Sequence, residues 1–194
     1  MKGSEVRKAD HPIDSLFLDR WSPRAMSGEP MTRDELFTLF EAARWAPSSG
    51  NSQPWRMLYA HRDTEHWPRF FELLTENNKR WCVNAAVLIV FISRTITDSG
   101  RVTKTHSFST GAAWENLALQ STLQGLIAHG MEGFDYDAAR GTLKVPDEFH
   151  VDAMVAIGRP GRVEDLPEPL RAREIPNTRK PLSEIVCEGG YQFG

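Results

Sequence analysis

The sequence predicts an α+β protein, because stretches with helical periodicity are interspersed with short segments that have the pattern of strands. At 194 residues the chain can bury a substantial core, so we expect residues 1–194 to form a single domain. The helical pattern covers residues 33–43 and 111–128, and the strand pattern covers residues 55–59, 85–92 and 151–157.

Charge and composition exclude several classes of partner. The net charge of −3, with both signs dispersed along the chain, gives no electrostatic footprint for nucleic acid. The longest uninterrupted apolar run, Ala85 to Ile92, is far too short to span a membrane, and Met1 to Asp19 lacks a secretory pattern. We therefore expect a cytoplasmic protein with no nucleic-acid or membrane partner, in which Cys82 and Cys187 are reduced thiols.

The first long helix has a start and a stop that can be recognised in the sequence. Thr32 is followed three positions later by Glu35, the spacing at which hydroxyl and carboxylate each satisfy a free backbone N–H. Pro47 cannot continue a helix, so the chain turns at this point. The side chains at helical spacing that we expect to be buried are Leu36, Phe37, Phe40 and Ala43.

The loop from Pro47 to Trp55 carries no charge and is rich in hydrogen-bonding groups. Its sequence is Pro-Ser-Ser-Gly-Asn-Ser-Gln-Pro-Trp, and the residues that follow alternate as in a half-buried strand. Serine, asparagine, glycine and proline are common in any loop. An uncharged loop with many donors also suits a neutral planar ligand with many acceptors, and both interpretations stay open on composition alone.

A second polar pattern lies near the amino terminus, after residues 1–13, which we expect to be loosely held. Arg20, Ser22 and Arg24 place two guanidinium groups on either side of a hydroxyl. Guanidinium groups bind phosphate in a bidentate manner, so this pattern is a candidate phosphate clamp. The alternative is two solvated surface arginines.

Residues 61–84 suggest a second amphipathic helix, and the continuous apolar run after it suggests a strand that is covered on both faces. The polar segment 93–110 then has the composition of a mobile loop or a helix start. It is a candidate for the mouth of a site, with His106 and Phe108 as candidates for substrate contact. A solvated loop histidine is the alternative for His106.

The stretch 111–128 is apolar on nearly all sides, so it must be buried in a core or at a dimer interface. We expect this helix to end at His129–Gly130, where glycine can adopt the left-handed cap conformation. Gly133 lies just beyond it, and its lack of a side chain would let the backbone approach a flat ligand.

The carboxy-terminal part is expected to form an extended surface arm from residue 163 to 181. Gly158–Gly161 lacks the spacing of a dinucleotide fingerprint. Asp135 and Asp137 without further ligands are expected to be solvated, so no metal site is predicted. No side chain stands out as an obligatory acid, base or nucleophile, as expected where a cofactor supplies the chemistry.

The order of residues in the 47–55 loop resembles the signature loop of the nitroreductase family, and the element from Arg20 to Arg24 resembles the phosphate-binding element of that family. The turn Glu132-Gly133-Phe134-Asp135 is also similar to a family turn. These matches span most of the chain. The resemblance implies a three-layer α-β-α sandwich with a mainly antiparallel central sheet, assembled as a homodimer with FMN at the subunit interface.

The same resemblance implies which residues bind FMN. Trp81 and Asn177 stand where some relatives carry lysine, so two contacts of those relatives are not expected here. From one chain the resemblance implies contacts by Arg20, Ser22, Arg24, Asn78, Glu132, Gly133 and Arg179, and from the partner chain contacts by Pro47, Ser48, Ser49 and Asn51.

The implied activity is hydride transfer from NADH or NADPH, through flavin N5, to a small-molecule acceptor such as a nitroaromatic compound, a quinone or a flavin. The reductant and the acceptor would visit one pocket in turn, which is a ping-pong scheme. The alternative is an FMN-binding module with a structural or sensing role and no turnover.

Overall fold

The computed structural model describes residues 2–193, and its centre is a four-stranded sheet in the order β1-β2-β4-β3. All neighbouring strands are antiparallel. The strands are β1 (Trp55–His61), β2 (Val87–Arg94), β3 (Ile127–Met131) and β4 (Phe149–Gly158).

Seven α-helices within residues 2–193 surround the sheet. They are α1 (Ser15–Asp19), α2 (Arg33–Arg44), α3 (Trp67–Phe71), α4 (Glu76–Cys82), α5 (His106–Leu123), α6 (Tyr136–Thr142) and α7 (Glu168–Arg171). Short 3₁₀ turns cover Gly3–Glu5, Ser49–Asn51, Val163–Asp165 and Leu182–Glu184. The single helix expected within 61–84 is therefore two short helices, α3 and α4.

Strand β2 separates two hydrophobic cores because both of its faces are covered. Val87, Ile89 and Phe91 pack in the core beneath α2 and α5. The alternate residues of the same strand pack in the core beneath α3, α4 and α6. The continuous apolar run of β2 thus has the burial that its sequence predicts. The predicted α+β class and its three layers are confirmed.

Helix α2 begins with the predicted capping box. The Glu35 N–H donates to Thr32 Oγ1 at 3.2 Å, and the Thr32 N–H donates to Glu35 Oε2 at 2.9 Å. The predicted buried stripe is partly wrong, because Leu39 is fully buried while Phe37 is 38% exposed. Phe37 instead lies under the guanidinium of Arg33, 4.1 Å from the ring centroid.

Helix α5 begins earlier and ends earlier than its apolar composition predicts. It stops at Leu123 because Gly125, with φ of +68°, forms a left-handed cap in which the Leu126 N–H donates to the Ser121 carbonyl at 2.8 Å. The residues after the cap then form β3. The expected helix end at His129–Gly130 is therefore wrong, because both residues lie within this strand.

The amino-terminal segment and the carboxy-terminal arm are held more firmly than predicted. The Arg7 guanidinium donates to the carbonyl oxygens of Leu18, Arg20 and Asn177 at 2.8–2.9 Å. Leu166 and Glu174 of the arm are buried, at 4% and 7% exposure. Contacts between residues far apart in sequence thus anchor both segments.

The two cysteines are free, as predicted, and burial raises the pKa of the Cys82 thiol well above its ordinary range. Within residues 2–193, no helix combines the length and the apolar character needed to cross a membrane. The same part of the chain contains no cluster of three or more histidine, cysteine or carboxylate side chains placed to hold a metal ion.

Candidate functional site

A cavity of about 550 Å³ lies between α5 and the strands β3 and β4. This volume falls within the range of pockets that bind small molecules and cofactors. Three of the predicted site residues, Arg20, Ser22 and Glu132, line it. The other lining residues are Trp114, Glu115, Gly130, Met131, Tyr136, Asp152, Ala153 and Val155.

Alternation along residues 20–25 explains why Arg20 and Ser22 face this cavity together. The intervening residues Trp21, Pro23 and Ala25 line a different cavity, of about 600 Å³. The Arg-x-Ser spacing therefore places both polar side chains on one side of the segment. The two faces of this short stretch serve two separate cavities.

Three arginines lie close together beside the cavity, and we call Arg7, Arg20 and Arg179 the arginine cluster. Burial, followed by the positive charges of Arg179 and Arg20, lowers the pKa of the Arg7 guanidinium. The Nε atom of Arg20 lies 3.5 Å from Glu115 Oε1. Like charges repel, so an anion bound here would relieve the repulsion.

Arg7 was not identified from the sequence. Its guanidinium binds backbone carbonyls of residues far along the chain and the Asn177 side-chain oxygen, at 3.0 Å. Main-chain acceptors leave no trace in residue identity, so no pattern indicated this arginine. Asn177, which stands where some relatives have lysine, also accepts from Arg179 Nη1 at 3.0 Å.

Arg24 belongs to the same segment but does not line the cavity. Its backbone N–H donates to Glu174 Oε1 at 2.6 Å. Burial and the positive charge of Arg173 lower the pKa of the Arg24 guanidinium, while Glu174 acts in the opposite direction. The phosphate contact of Arg24 stays a prediction.

The turn at Glu132 and Gly133 is fixed from behind by residues of α4 and its cap. The Gly133 carbonyl accepts from Asn78 Nδ2 at 2.9 Å and from the Thr75 N–H at 3.1 Å. Trp81 Nε1 donates to Asn78 Oδ1 at 3.2 Å. Both ends of the Asn78 amide are thus used to hold the turn, while its predicted contact with the ribityl chain stays a prediction.

His129 fixes the segment that carries Arg20 and Ser22. Its Nδ1 lies 2.9 Å from the Pro23 carbonyl oxygen, and its ring packs against Trp81 with centroids 4.6 Å apart. Burial lowers the pKa of His129 to about 4. The imidazole is therefore neutral at pH 7, and because a carbonyl only accepts, Nδ1 carries the hydrogen.

The predicted residues Pro47, Ser48, Ser49 and Asn51 lie apart from the cavity in the single chain. Their loop leads into edge strand β1, whereas the cavity lies beside β3 and β4 at the other side of the sheet. The loop is held in a strained shape, with φ of +54° at Asn51 and +44° at Gln53. Their contribution to a partner's site stays a prediction.

A chain of polar contacts runs from the cavity wall to the start of α5. Ser107 Oγ donates to Asp152 Oδ1 at 2.5 Å and lies 3.1 Å from His106 Nδ1. Ser93 Oγ lies 2.8 Å from the same nitrogen. His106 therefore does not line the cavity and is connected to it only through Ser107 and Asp152. Phe108 does not line the cavity either, and its side chain is 83% exposed.

Asp152 was not identified from the sequence, because a single carboxylate within a strand forms no recognisable pattern.

The sequence and the fold of this chain are similar to those of known proteins. A model of the nitroreductase family matches residues 18–159, which is most of the chain. The chain belongs to the nitroreductase family. This range contains the whole sheet and every residue that lines the cavity beside the arginine cluster.

Individual proteins resemble this nitroreductase-family chain over all or part of its length. Protein DrgA of Synechocystis is 29% identical to this chain, and the alignment covers 90% of this chain and 94% of DrgA. A crystal structure of an oxidoreductase containing FMN is 47% identical, with a TM-score of 0.95 and complete coverage of both chains. A protein of Streptomyces coelicolor, whose name includes NAD(P)H nitroreductase, is 34% identical over 39% of this chain and 37% of its own.

Gly133→Ala tests how tightly the turn is packed. An added Cβ would lie 2.6 Å from Asn78 Nδ2 and 3.1 Å from Thr75 Oγ1, so the turn or the amide must shift. We expect the free energy of unfolding to fall by about 1–3 kcal/mol. Gly141→Ala is the matched control, because a Cβ there meets nothing within 4 Å. Equal stability of the two variants in urea unfolding would contradict this account.

His129 is expected to make stability depend on pH. Its pKa is about 4 in the folded protein and about 6.5 when unfolded, so its contribution is present above pH 6.5 and is lost as the pH falls toward 4. Between pH 7 and pH 5 the loss should be about 2 kcal/mol. Urea unfolding of the wild type and of His129→Gln at both pH values measures it. Parallel losses in both proteins would exclude His129 as the cause.

Proposed function

We propose that this protein is an FMN-dependent oxidoreductase that passes hydride from NADH or NADPH to a small-molecule electron acceptor. The observation that carries the proposal is the arginine cluster at one end of a cavity of about 550 Å³. A cavity with a cationic end suits a ligand with a phosphate at one end and a neutral ring system at the other. FMN has that form, and the similar structure with 47% identity contains FMN.

In this proposal the arginine cluster holds the phosphate, with Arg20 and Arg179 in contact and Arg7 fixing their surroundings. Ser22 supplies a hydroxyl for the ribityl chain, and the turn at Glu132 and Gly133 borders the ring. When bound, FMN accepts and donates hydride at N5. The chain then has to bind, orient and shield the reactants, which requires no nucleophilic side chain.

The side chains of the cavity suit such a passive but rigid role. The Trp114 ring lies against Gly130, where an added Cβ would come within 3.1 Å of the indole. The Gly133 carbonyl accepts two hydrogen bonds that fix the turn. Rigid walls favour a flat ligand because little conformational freedom is lost when it binds.

A homodimer belongs to the proposal, because the layer formed by α2 and α5 leaves large apolar side chains exposed. Trp45 is 72% exposed, Phe108 83% and Leu123 66%. A second copy on this layer would cover them. It would also give the loop from Pro47 to Asn51 a partner cavity to enter, since this loop does not reach the cavity of its own chain.

The choice of reductant is supported by the Streptomyces coelicolor relative, whose name includes NAD(P)H nitroreductase. The sequence has no Gly-x-Gly-x-x-Gly fingerprint for a tightly held dinucleotide. A nicotinamide that only visits the cavity, leaves, and is followed by the acceptor needs no such fingerprint. We therefore propose a ping-pong order of binding.

The direct test is an absorbance spectrum of the FMN-loaded protein during anaerobic addition of NADPH or NADH. We expect the flavin bands to bleach, and we expect parallel double-reciprocal plots when reductant and nitroaromatic acceptor are varied. Intersecting lines would contradict the ping-pong order. Bands that persist with both reductants would favour the module without turnover, and failure to bind FMN would remove the proposal.

Arg20→Ala should weaken FMN binding because it removes charge-assisted hydrogen bonds to the phosphate. We expect the FMN dissociation constant to rise about 10- to 100-fold, measured by flavin fluorescence titration. Arg162→Ala is the matched control, since Arg162 is exposed and pairs with Asp165 outside the cavity. Equal FMN affinity of the two variants would exclude Arg20 from the phosphate site.

A further inference from the structure

Asp152 is a carboxylate in the cavity wall whose charge is not balanced by a nearby cation. It lies in β4, with Oδ1 accepting from Ser107 and Oδ2 buried without a hydrogen-bond partner among residues 2–193. It takes part in no ion pair within the described part of the chain. Such an arrangement is costly to folding, which points to a role in the site.

The charge balance of the cavity wall favours a negative potential. Arg20 provides the positive charge among the lining residues of the described chain, and Glu115 already pairs with it at 3.5 Å. Glu132 and Asp152 add two further carboxylates. Neither of these two carboxylates forms an ion pair within residues 2–193, so their negative charges border the cavity without a paired cation.

Tyr136 indicates that Glu132 and Asp152 act on the same small volume. Burial and the negative charges of Glu132 and Asp152 together raise the pKa of its phenol. The phenol, the two carboxylates and Ala153 all line the cavity. A molecule that enters beside Tyr136 is therefore close to both carboxylates.

The orientation of Asp152 is set by the polar chain that begins at Ser107. Ser107 has one hydroxyl hydrogen, which it gives to Asp152. The His106 Nδ1 atom lies beside this hydroxyl, at 3.1 Å, and beside Ser93 Oγ, at 2.8 Å. A carboxylate held in this way keeps its charge at a fixed place in the wall.

We propose that Asp152 selects the electron acceptor by charge, favouring cationic and neutral acceptors over anionic ones. The inference rests on the proposed function and adds a substrate class to it. The Asp152 side chain is only partly exposed, and the field of its carboxylate acts across the cavity without direct contact. Glu132 and Asp152 repel an acceptor that carries a carboxylate, and they attract an acceptor that carries an ammonium group.

The test compares Asp152→Asn with the wild type, both loaded with FMN, on two acceptors of one shape and opposite charge. The acceptors are 4-nitrobenzylammonium and 4-nitrobenzoate. The measured quantity is the kcat/KM for the ammonium compound divided by the kcat/KM for the benzoate. We expect a wild-type ratio well above one, which falls about tenfold in the variant. Asp147→Asn removes the same charge from an exposed position outside the cavity and should leave the ratio unchanged.

A binding measurement without turnover supports the same comparison. Benzylammonium and benzoate are not reduced, and their binding is followed by the change they cause in the flavin absorbance. We expect Asp152→Asn to weaken benzylammonium binding and to strengthen benzoate binding. The dissociation constant of FMN itself should not rise, because removing a negative charge from the wall does not weaken the binding of an anionic phosphate.

Two outcomes overturn the inference while leaving the proposed function intact. One is a ratio that Asp152→Asn does not change in a protein that still reduces both acceptors. The other is a large loss of FMN affinity in Asp152→Asn, which would place the carboxylate at the flavin. Failure of the wild-type flavin to bleach with either nicotinamide would instead count against the proposed function.

Discussion

Burial of β2 on both faces is the constraint on which the rest of the structure depends. A strand that is apolar at every position needs cover on each side, which requires two layers of helices. Here α2 and α5 cover one face and α3, α4 and α6 cover the other. The cavity forms between the middle of β4, the end of β3 and helix α5.

The site is assembled from segments that are distant in sequence, and main-chain hydrogen bonds hold them together. Arg7 connects the amino-terminal segment with Leu18, Arg20 and Asn177. Asn78 fixes the turn at Gly133, and His129 fixes Pro23. The residues that face the cavity are thus supported by a second set that does not touch it, as precise ligand placement requires.

Local sequence patterns predicted the parts of the fold that local physics determines. The capping box at Thr32 and Glu35, the helix-stopping Pro47 and the two-sided burial of β2 are examples. The end of α5 was misplaced because its apolar composition continues into β3, while the decisive residue, Gly125, acts through backbone conformation. Of the candidate site, Arg20, Ser22 and Glu132 line the cavity as the motifs suggested. Arg7 and Asp152 escaped notice because their partners are set by tertiary structure.

The attachment of Arg7 makes the site unequally sensitive to sequence change. A backbone carbonyl is present whatever the side chain, so most replacements at Leu18 leave the acceptor for Arg7 in place. Arg7 itself has no equivalent, because lysine cannot reach several carbonyls with a planar fork of donors. The three backbone acceptors therefore tolerate sequence change, whereas the Arg7 donor and the Asn177 side-chain acceptor depend on residue type. A contact of this kind can persist through extensive divergence without leaving a pair of covarying positions.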